Sequence, residues 1–347
     1  MISGLDLSAH FYREAVAPLL DVPHSAGRLD TGSEVLGFDT AISADHEWGP
    51  RCQIFIADQG DAARIKERLS HELPKSFLGY PTHFDGDPIG SMALVDSPVN
   101  HRVDVSTVGE WARSALGFDP LAGTTTLDWL ATPTQVLAQA TAGAVFHDGL
   151  AVLGPLRSAI AWYPDEIWRY VLACQWQKLA QEEAFIGRAG EVGDELGSAV
   201  VAARQVREVV RLCLLLAKVY PPYSKWLGSA FARLPHHALQ AKLVEVLAAR
   251  DFRTRGDLLA VAYESVAALH NASGLTEPLD PTRRDYFERP YPVLRADRFV
   301  DALRETLPDE LRRLPLIGAV DQWSDSTDFA GGARERRDAV RMATRLG

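Results

Sequence analysis

The sequence has few cysteines, no excess of basic residues and no long apolar run. Each of these three absences argues against one class of protein. The three cysteines of the 347 residues stand in apolar stretches without a C-x-x-C pair, so we expect reduced core thiols rather than disulfides. A formal net charge of −10 argues against extended binding to nucleic acid, because that affinity depends on Lys and Arg contacting phosphates.

The distribution of apolar residues also predicts no membrane-spanning segment. The longest uncharged apolar runs, such as LCLLLA, are far too short to cross a bilayer, and charges interrupt the N-terminal MISGLDLSAHFYREA, unlike a signal peptide. We therefore expect a cytoplasmic protein with no membrane partner.

The spacing of apolar residues changes along the chain. In the first third, strand-like stretches such as RCQIFIA and HRVDVSTV alternate with helical ones such as GDAARIKERLSHEL. Later, long amphipathic segments bounded by Gly and Pro predict helices, and the Pro- and Arg-rich stretch 277–292 predicts an irregular connector. We expect an α/β + α protein, with a small mixed-sheet domain over 1–122 and an all-helical domain over 123–347.

A small turn stands close to two carboxylates before the first clear strand. Gly32-Ser33 offers backbone N–H groups and a hydroxyl to an anion if it leads into a helix, and glycine lets a phosphate approach the backbone. Asp45 and Glu47 are one residue apart, so on a strand they point to the same side and repel each other unless a cation lies between them. Mg²⁺ favours such oxygen ligands, particularly beside a phosphate.

A third carboxylate follows on a later strand. Asp104 stands between Val103 and Val105, so we expect it to face away from the core that the valines enter. If its strand neighbours the one with Asp45 and Glu47, three acids converge, as a two-metal displacement at phosphorus requires.

These residues in this order resemble the nucleotidyltransferase superfamily with the polymerase-beta-like head. The resemblance rests on Gly32-Ser33, on Asp45-His46-Glu47-Trp48 and on Val103-Asp104-Val105, although His46 fills a slot that is usually aliphatic and Glu47 replaces the commoner Asp. Phrases such as HEWGPR, TAGAVFHDG and PYSKWLGSAF resemble a bacterial branch of that superfamily, a domain of unknown function. The resemblance implies two Mg²⁺ ions held by Asp45, Glu47 and Asp104.

The helical part offers a second candidate segment, PPYSKWLG. Tyr223 and Lys225 stand at the start of a predicted helix, where the helix dipole disfavours a cation unless an anion lies nearby. The Ser-Lys pair is similar to that of aminoglycoside adenylyltransferases, which implies that Lys225 binds the triphosphate and Tyr223 lines the nucleotide site. The alternative is an exposed helix-start lysine, with Tyr223 packed on the proline.

Glu182 and Glu183 lie near the end of a long predicted helix. Glu183 shares an apolar stripe, so we expect it to be buried and paired with an arginine of the next helix, either Arg204, Arg207 or Arg211. The alternative to Asp104 as the general base is one of these two glutamates.

The resulting hypothesis is a Mg²⁺-dependent nucleotidyltransferase that moves AMP from ATP to a hydroxyl of a small molecule. Two alternatives stay open: a toxin-like enzyme that modifies RNA or protein, and a nucleotide-binding regulator without turnover. The acceptor, the nucleobase and the oligomeric state stay open as well.

Overall fold

The fold combines a small sheet with a large helical part. The computed structural model of the chain describes residues 2–40, 42–43, 48–86 and 90–346, apart from the side chain of Ala330. A four-stranded mixed sheet near the N-terminus is followed by many helices, so the predicted class is confirmed. Among the helices of these residues, none combines the length and the apolar character needed to cross a membrane.

The strands are short, and four of them form the main sheet while the others pair in twos. In chain order they are β1 (His24–Arg28), β2 (Arg51–Ile56), β3 (Ser76–Phe77), β4 (Tyr80–Pro81), β5 (His83–Phe84), β6 (Met92–Ala93), β7 (Arg102–Ser106), β8 (Ala144–Asp148), β9 (Arg284–Tyr286) and β10 (Arg289–Val293).

The helices differ in length, and the three longest lie between residues 165 and 272. They are α1 (Gly4–Phe11), α2 (Ala62–Glu72), α3 (Val108–Ala115), α4 (Thr126–Ala131), α5 (Thr134–Thr141), α6 (Leu153–Ala159), α7 (Asp165–Glu182), α8 (Phe185–Glu191), α9 (Glu195–Leu216), α10 (Ser224–Ala232), α11 (His237–Ala248), α12 (Phe252–Ala272), α13 (Asp297–Glu305), α14 (Asp309–Arg312), α15 (Val320–Trp323), α16 (Thr327–Gly331) and α17 (Ala333–Thr344).

The main sheet has the strand order β7-β2-β1-β8. Strand β1 pairs antiparallel with β2 and with β8, whereas β2 pairs parallel with β7. Because β1 runs opposite to its neighbour, the chain leaves β1 at the edge of the sheet where β2 and β7 begin. The residues that follow β1 therefore lie near the start of both of these strands.

One face of this sheet carries the core of the first part of the chain. Alternate residues of β2 and β7 point into it, together with apolar side chains of α1 and α2, because side chains on a strand point to opposite faces in turn. The sheet contributes Ala26, Cys52, Ile54, Ile56, Val103 and Val105. Each fully buried Ile or Val side chain stabilises the fold by about 1.5–3 kcal/mol. The opposite face carries Gln53 and Asp104 together with the buried ring of Phe55.

The helical core is built around α7, and aromatic contacts fix the helices beside it. The Trp176 ring of α7 stacks on Phe299 of α13 with 4.4 Å between ring centroids, and its Nε1 donates to Nδ1 of His270 over 3.2 Å. Burial lowers the pKa of His270 to about 4, which keeps the imidazole neutral as an acceptor. All three cysteines are free and buried, as expected.

The chain divides into two compact units and passes between them three times. One unit comprises 1–128 and 136–161, and the other comprises 129–135 and 162–347. The sequence analysis instead places a single boundary after residue 122. The difference arises because β8 pairs with β1, and backbone pairing of this kind between distant segments leaves no mark in local composition.

Three elements differ from the sequence-based expectation. The sequence analysis does not predict strands β1 and β8. Polar or small residues such as Ser25 and Gly27 give β1 no strand-like apolar pattern, and β8 lies among segments with helical patterns. The stretch 277–292 is predicted to be irregular, yet it contains β9 and most of β10, which pair as an antiparallel hairpin. Backbone hydrogen bonds form this hairpin despite two prolines in β10.

Gly143 tests the close approach of the chain before β8 to the end of β1. Its φ is +70°, its N–H donates to the Val35 carbonyl over 2.9 Å, and a Cβ there would collide with the carbonyl oxygen of Arg28. We expect Gly143→Ala to lower the free energy of unfolding by about 2–4 kcal/mol, since steric overlap adds to the cost of a left-handed backbone. Urea denaturation measures this change.

The matched control is Gly79→Ala. Gly79 also has a positive φ, +87°, but nothing lies within 4 Å of a Cβ built there. Only the conformational cost applies, about 1–2 kcal/mol. Equal losses in the two variants would contradict a tight contact at Gly143.

Candidate functional site

The Gly32-Ser33 turn follows β1 directly. Instead of the expected helix, residues 33–38 form a single turn, closed by hydrogen bonds from Phe38 N–H to the Ser33 carbonyl (2.9 Å) and from Gly37 N–H to the Glu34 carbonyl (3.0 Å). Gly37 has a φ of +67°, so this pair of bonds is the pattern that ends helices. Glycine at 37 therefore stops the helix after one turn.

A buried ion pair holds this turn from inside. Arg28, the last residue of β1, is fully buried and donates from Nε and Nη2 to Oε1 of Glu34, over 2.9 and 2.6 Å. Its remaining N–H groups bond the carbonyl oxygens of Leu29 and Thr31. One guanidinium thus donates hydrogen bonds to groups on both sides of the turn. Removing either partner of such a buried ion pair costs about 3–5 kcal/mol of stability.

A glycine is required at position 32, between Arg28 and Glu34. Its φ is +136°, and a Cβ there would collide with the Glu34 carboxylate and the Arg28 guanidinium. Within the described part of the chain, the N–H groups of Gly32 and Ser33 have no acceptor. These donors are suited to an anion, which glycine lets approach the backbone.

Gln53 joins the end of β1 to the polar face of the sheet. Its side chain accepts from Leu29 N–H over 2.9 Å and donates to the Leu29 carbonyl over 3.0 Å. Gln53 is the register partner of Asp104 on β7, and both residues point away from the apolar core. The backbone at Leu29 therefore lies on the same face of the sheet as the Asp104 carboxylate.

Asp104 has the orientation that the sequence predicts. Val103 and Val105 are 2% and 1% exposed, whereas Asp104 between them is exposed to solvent. The alternation of a strand is the whole cause, because the valines enter the core and the intervening residue must point the other way.

The sequence analysis did not select another carboxylate, Asp30, whose charge interacts with that of Asp104. Asp30 is partly buried and has a left-handed φ of +74°. Burial raises the pKa of Asp30 above its ordinary value, the Arg28 guanidinium opposes this rise, and the Asp104 carboxylate adds to it. The flanking charges in Arg28-Leu-Asp-Thr-Gly-Ser-Glu34 are the signal that could have drawn attention to this segment.

Asp45 and Glu47, the other two predicted metal ligands, lie outside the described residues. Trp48, which follows them, is buried, and a Cβ built at Gly4 would lie 2.7 Å both from its Nε1 and from the Glu34 Cβ. Trp48 thus lies beside the Gly-Ser turn.

The donor set can be compared with the chemistry of Mg²⁺. Among the described residues, no three His, Cys, Asp or Glu side chains form a group that could hold a metal ion. Asp30 and Asp104 supply two carboxylates, which are the hard oxygen ligands that Mg²⁺ takes together with water or phosphate. Two such carboxylates would need further oxygen ligands to hold a Mg²⁺ ion.

Tyr223 and Lys225 lie in the other unit, at the start of α10. The Tyr223 N–H donates to Oε1 of Gln135 over 2.9 Å, so the backbone before the helix is fixed. Lys225 lies in the first turn of the helix, as predicted. Its side chain is exposed, and its Nζ lies 4.9 Å from the centre of the Trp226 ring. This cation–π contact stabilises the ammonium group at a position where the helix dipole does not.

The predicted arginine partner of Glu183 is wrong. Glu183 is buried, but its carboxylate accepts the backbone N–H groups of Leu294, Arg295 and Ala296, over 2.8, 3.1 and 3.1 Å. It therefore fixes the backbone that leads from β10 into α13. The neighbouring Glu182 is the residue that pairs with Arg204, over 3.2 Å.

Comparison with known families covers part of the chain. A family model described as a domain of unknown function, DUF4037, matches residues 129–227. This segment includes Tyr223 and Lys225, and it leaves out Gly32, Ser33 and Asp104. Searches of the curated proteins and of the solved structures found no match.

The burial of Glu183 makes stability depend on pH. Burial raises the pKa of Glu183 from 4.5 to about 7, against the lowering effect of the three N–H groups. The folded protein then holds this proton more tightly than the unfolded chain, so the free energy of unfolding falls as pH rises through this interval. The loss between pH 5 and pH 8 is about 3 kcal/mol at most.

Urea denaturation at the two pH values, on the wild type and on Glu183→Gln, measures this effect. We expect the glutamine variant to lack this part of the pH dependence. Glu182→Gln, which leaves Glu183 in place, is the control. A Glu183→Gln variant with the same pH dependence as the wild type would contradict the assignment.

Proposed function

We propose that the protein is a Mg²⁺-dependent nucleotidyltransferase that transfers a nucleoside monophosphate, AMP from ATP, to a hydroxyl group of a small molecule. The observation that carries the proposal is the arrangement around Gln53. Its side chain bonds the Leu29 backbone just before the Gly32-Ser33 turn, and its register partner is Asp104. An anion-binding turn and an exposed carboxylate on one sheet are the parts that phosphoryl transfer needs.

Each part has a chemical task in this proposal. The N–H groups of Gly32 and Ser33 bind triphosphate oxygens, and the buried Arg28–Glu34 pair keeps those donors in place before the nucleotide arrives. Mg²⁺, when bound, offsets the negative charge of the phosphates and orients them. Asp45 and Glu47 are proposed as its further ligands, in keeping with the sequence motif.

The transfer step forms one bond and breaks another. The acceptor's hydroxyl oxygen bonds to the α-phosphorus, the bond from that phosphorus to the oxygen of the leaving pyrophosphate breaks, and Asp104 takes the hydroxyl proton. Asp104 suits this role because it is exposed and not engaged in the core. Glu183 is less suited, since its two oxygens already accept backbone N–H groups.

The helical unit contributes Tyr223 and Lys225 in this proposal. Lys225 is exposed and therefore available to pyrophosphate oxygens, at the price of its contact with Trp226. The acidic chain favours a small-molecule acceptor in the cytoplasm over a polynucleotide. Pyrophosphate release with each of the four NTPs, across a panel of metabolites and antibiotics, tests the function directly.

Asp104→Asn tests the general base. The variant preserves shape and removes the charge, so we expect MgATP to bind while transfer falls by about two to four orders of magnitude. ATP binding by calorimetry and pyrophosphate release measure the two effects separately. Asp96→Asn, which changes an exposed acid of the same unit, is the control. Normal turnover in Asp104→Asn would move the proton acceptor to another residue.

Ser33→Ala and Lys225→Gln test the triphosphate contacts. We expect Ser33→Ala to weaken ATP binding by about 1–3 kcal/mol, the range for a hydrogen bond to a charged group. Lys225→Gln should lower kcat more than it raises KM, if the lysine meets charge that develops on the leaving group.

Each of these variants has a matched control. Lys218→Gln changes another exposed lysine, whose Nζ lies 4.4 Å from the centre of the Trp168 ring, and Ser97→Ala changes an exposed serine. We expect both controls to behave as the wild type. Unchanged kinetics in Ser33→Ala and Lys225→Gln would mean that the turn and the helix start have only a structural role.

A further inference from the structure

An irregular segment, residues 220–223, leads into the helix start that carries Lys225. It contains two adjacent prolines, which have no backbone N–H, so a helix or a strand ladder cannot hold this stretch through its own donors. Two consecutive residues at the start of α5, Thr134 and Gln135, bond it with their side chains instead. All of these residues belong to the helical unit.

The two side chains hold different points of this segment. Oε1 of Gln135 accepts the Tyr223 N–H over 2.9 Å. The Thr134 hydroxyl donates to the Pro221 carbonyl oxygen over 2.7 Å. Tyr223 is the residue immediately before α10, and Lys225 is two residues further on. The bond at Tyr223 therefore sets where the first turn of α10 begins, and with it the point from which the Lys225 side chain extends.

The Thr134 hydroxyl is itself held by an ion pair. Oδ2 of Asp321 is a second acceptor for this hydroxyl, over 2.5 Å, and it also accepts from Nη2 of Arg211 over 2.6 Å. Thr134 and Arg211 are only 1% and 3% exposed. Such a pair is not needed for stability alone, since apolar residues of similar volume often stabilise a fold as well or better. Here it joins α9 and α15 to the segment before α10 through Thr134.

The residues that these contacts hold are exposed. Tyr223 is 37% exposed, and Ser224 and Lys225 are exposed as well. An exposed first turn adds little to the core, so stability alone does not account for the buried polar side chains of Thr134 and Arg211 that support it. Support of this kind is what a side chain needs when it must meet a ligand at a fixed position.

We propose that Gln135 and Thr134 are positioning residues for Lys225, with the Arg211–Asp321 pair as the support of Thr134. This inference rests on the proposed function, because it concerns the lysine that binds the triphosphate there. The lysine side chain is flexible, so a mobile helix start would add to the freedom that binding must remove. A helix start that is already fixed leaves only the side chain to be ordered when the ammonium group meets pyrophosphate oxygens.

Gln135→Met tests the proposal, because it keeps the size of the side chain and removes the acceptor of the Tyr223 N–H. We expect kcat for pyrophosphate release to fall by about three- to tenfold, as for the loss of one hydrogen bond, with a smaller change in KM. In the Lys225→Gln background the same change should lower kcat by less than about twofold, since the group that is positioned is gone. Gln240→Met, on α11 of the same unit, is the matched control and should behave as the wild type.

Thr134 gives a second test. Thr134→Val keeps the shape and removes the hydroxyl, whereas Thr134→Ser keeps the hydroxyl, so we expect only the valine variant to lose kcat. The valine also leaves Asp321 with one partner fewer. Urea denaturation of each variant therefore measures its stability, and the Gln135 variants decide the question if Thr134→Val does not fold.

Two results would overturn the positioning role and leave the proposed function standing. One is an equal loss from Gln135→Met with and without Lys225, because the effect would then not pass through the lysine. The other is wild-type kinetics in Gln135→Met together with a loss in Lys225→Gln. A wild type that releases no pyrophosphate with any NTP and acceptor of the panel would overturn the proposed function and this inference with it.

Discussion

The ion pair between Arg28 and Glu34 is the interaction on which the candidate site depends. Both side chains are almost fully buried, and the guanidinium also bonds two carbonyl oxygens of the intervening turn. A buried charge without its partner is strongly destabilising, so the two residues can remain only if the turn closes around them. The same closure leaves the N–H groups of Gly32 and Ser33 without an acceptor among the residues that the structure describes. An interaction that stabilises the fold thus keeps these donors available for the anion that we propose.

The sheet then relates this turn to the carboxylates. The side-chain amide of Gln53 makes the two hydrogen bonds with the Leu29 backbone that a neighbouring strand would otherwise make. These bonds extend the pairing of β1 by one residue. Rigid strands place Asp104 on that face, whereas a loop would leave its carboxylate without a fixed position. The apolar residues on the other face supply the stability that permits exposed and strained residues at the turn.

The helical unit uses its buried charges differently. Arg211 pairs with Asp321 over 2.6 Å, and Gln175 bonds Glu208 over 2.7 Å, so several helices are tied together by polar contacts within the core. Glu183 fits the same pattern, because its carboxylate holds the backbone that leads into α13. The match to a domain of unknown function covers part of this unit, including the start of α10. The candidate site in the sheet unit rests on its own geometry.

The sequence by itself determined the features that depend on local pattern. The alternation around Asp104, the strand β2, the long helices and the helix start at Lys225 all follow from periodicity and from the positions of Gly and Pro, because those features depend on residues close in the chain. Only the tertiary structure decided which distant segments meet. It paired β8 with β1, gave Glu183 backbone partners in place of an arginine, and joined the Gln53 side chain to the Leu29 backbone. The sequence indicates which buried charged groups need a partner, but the packing of distant segments determines which group that partner is.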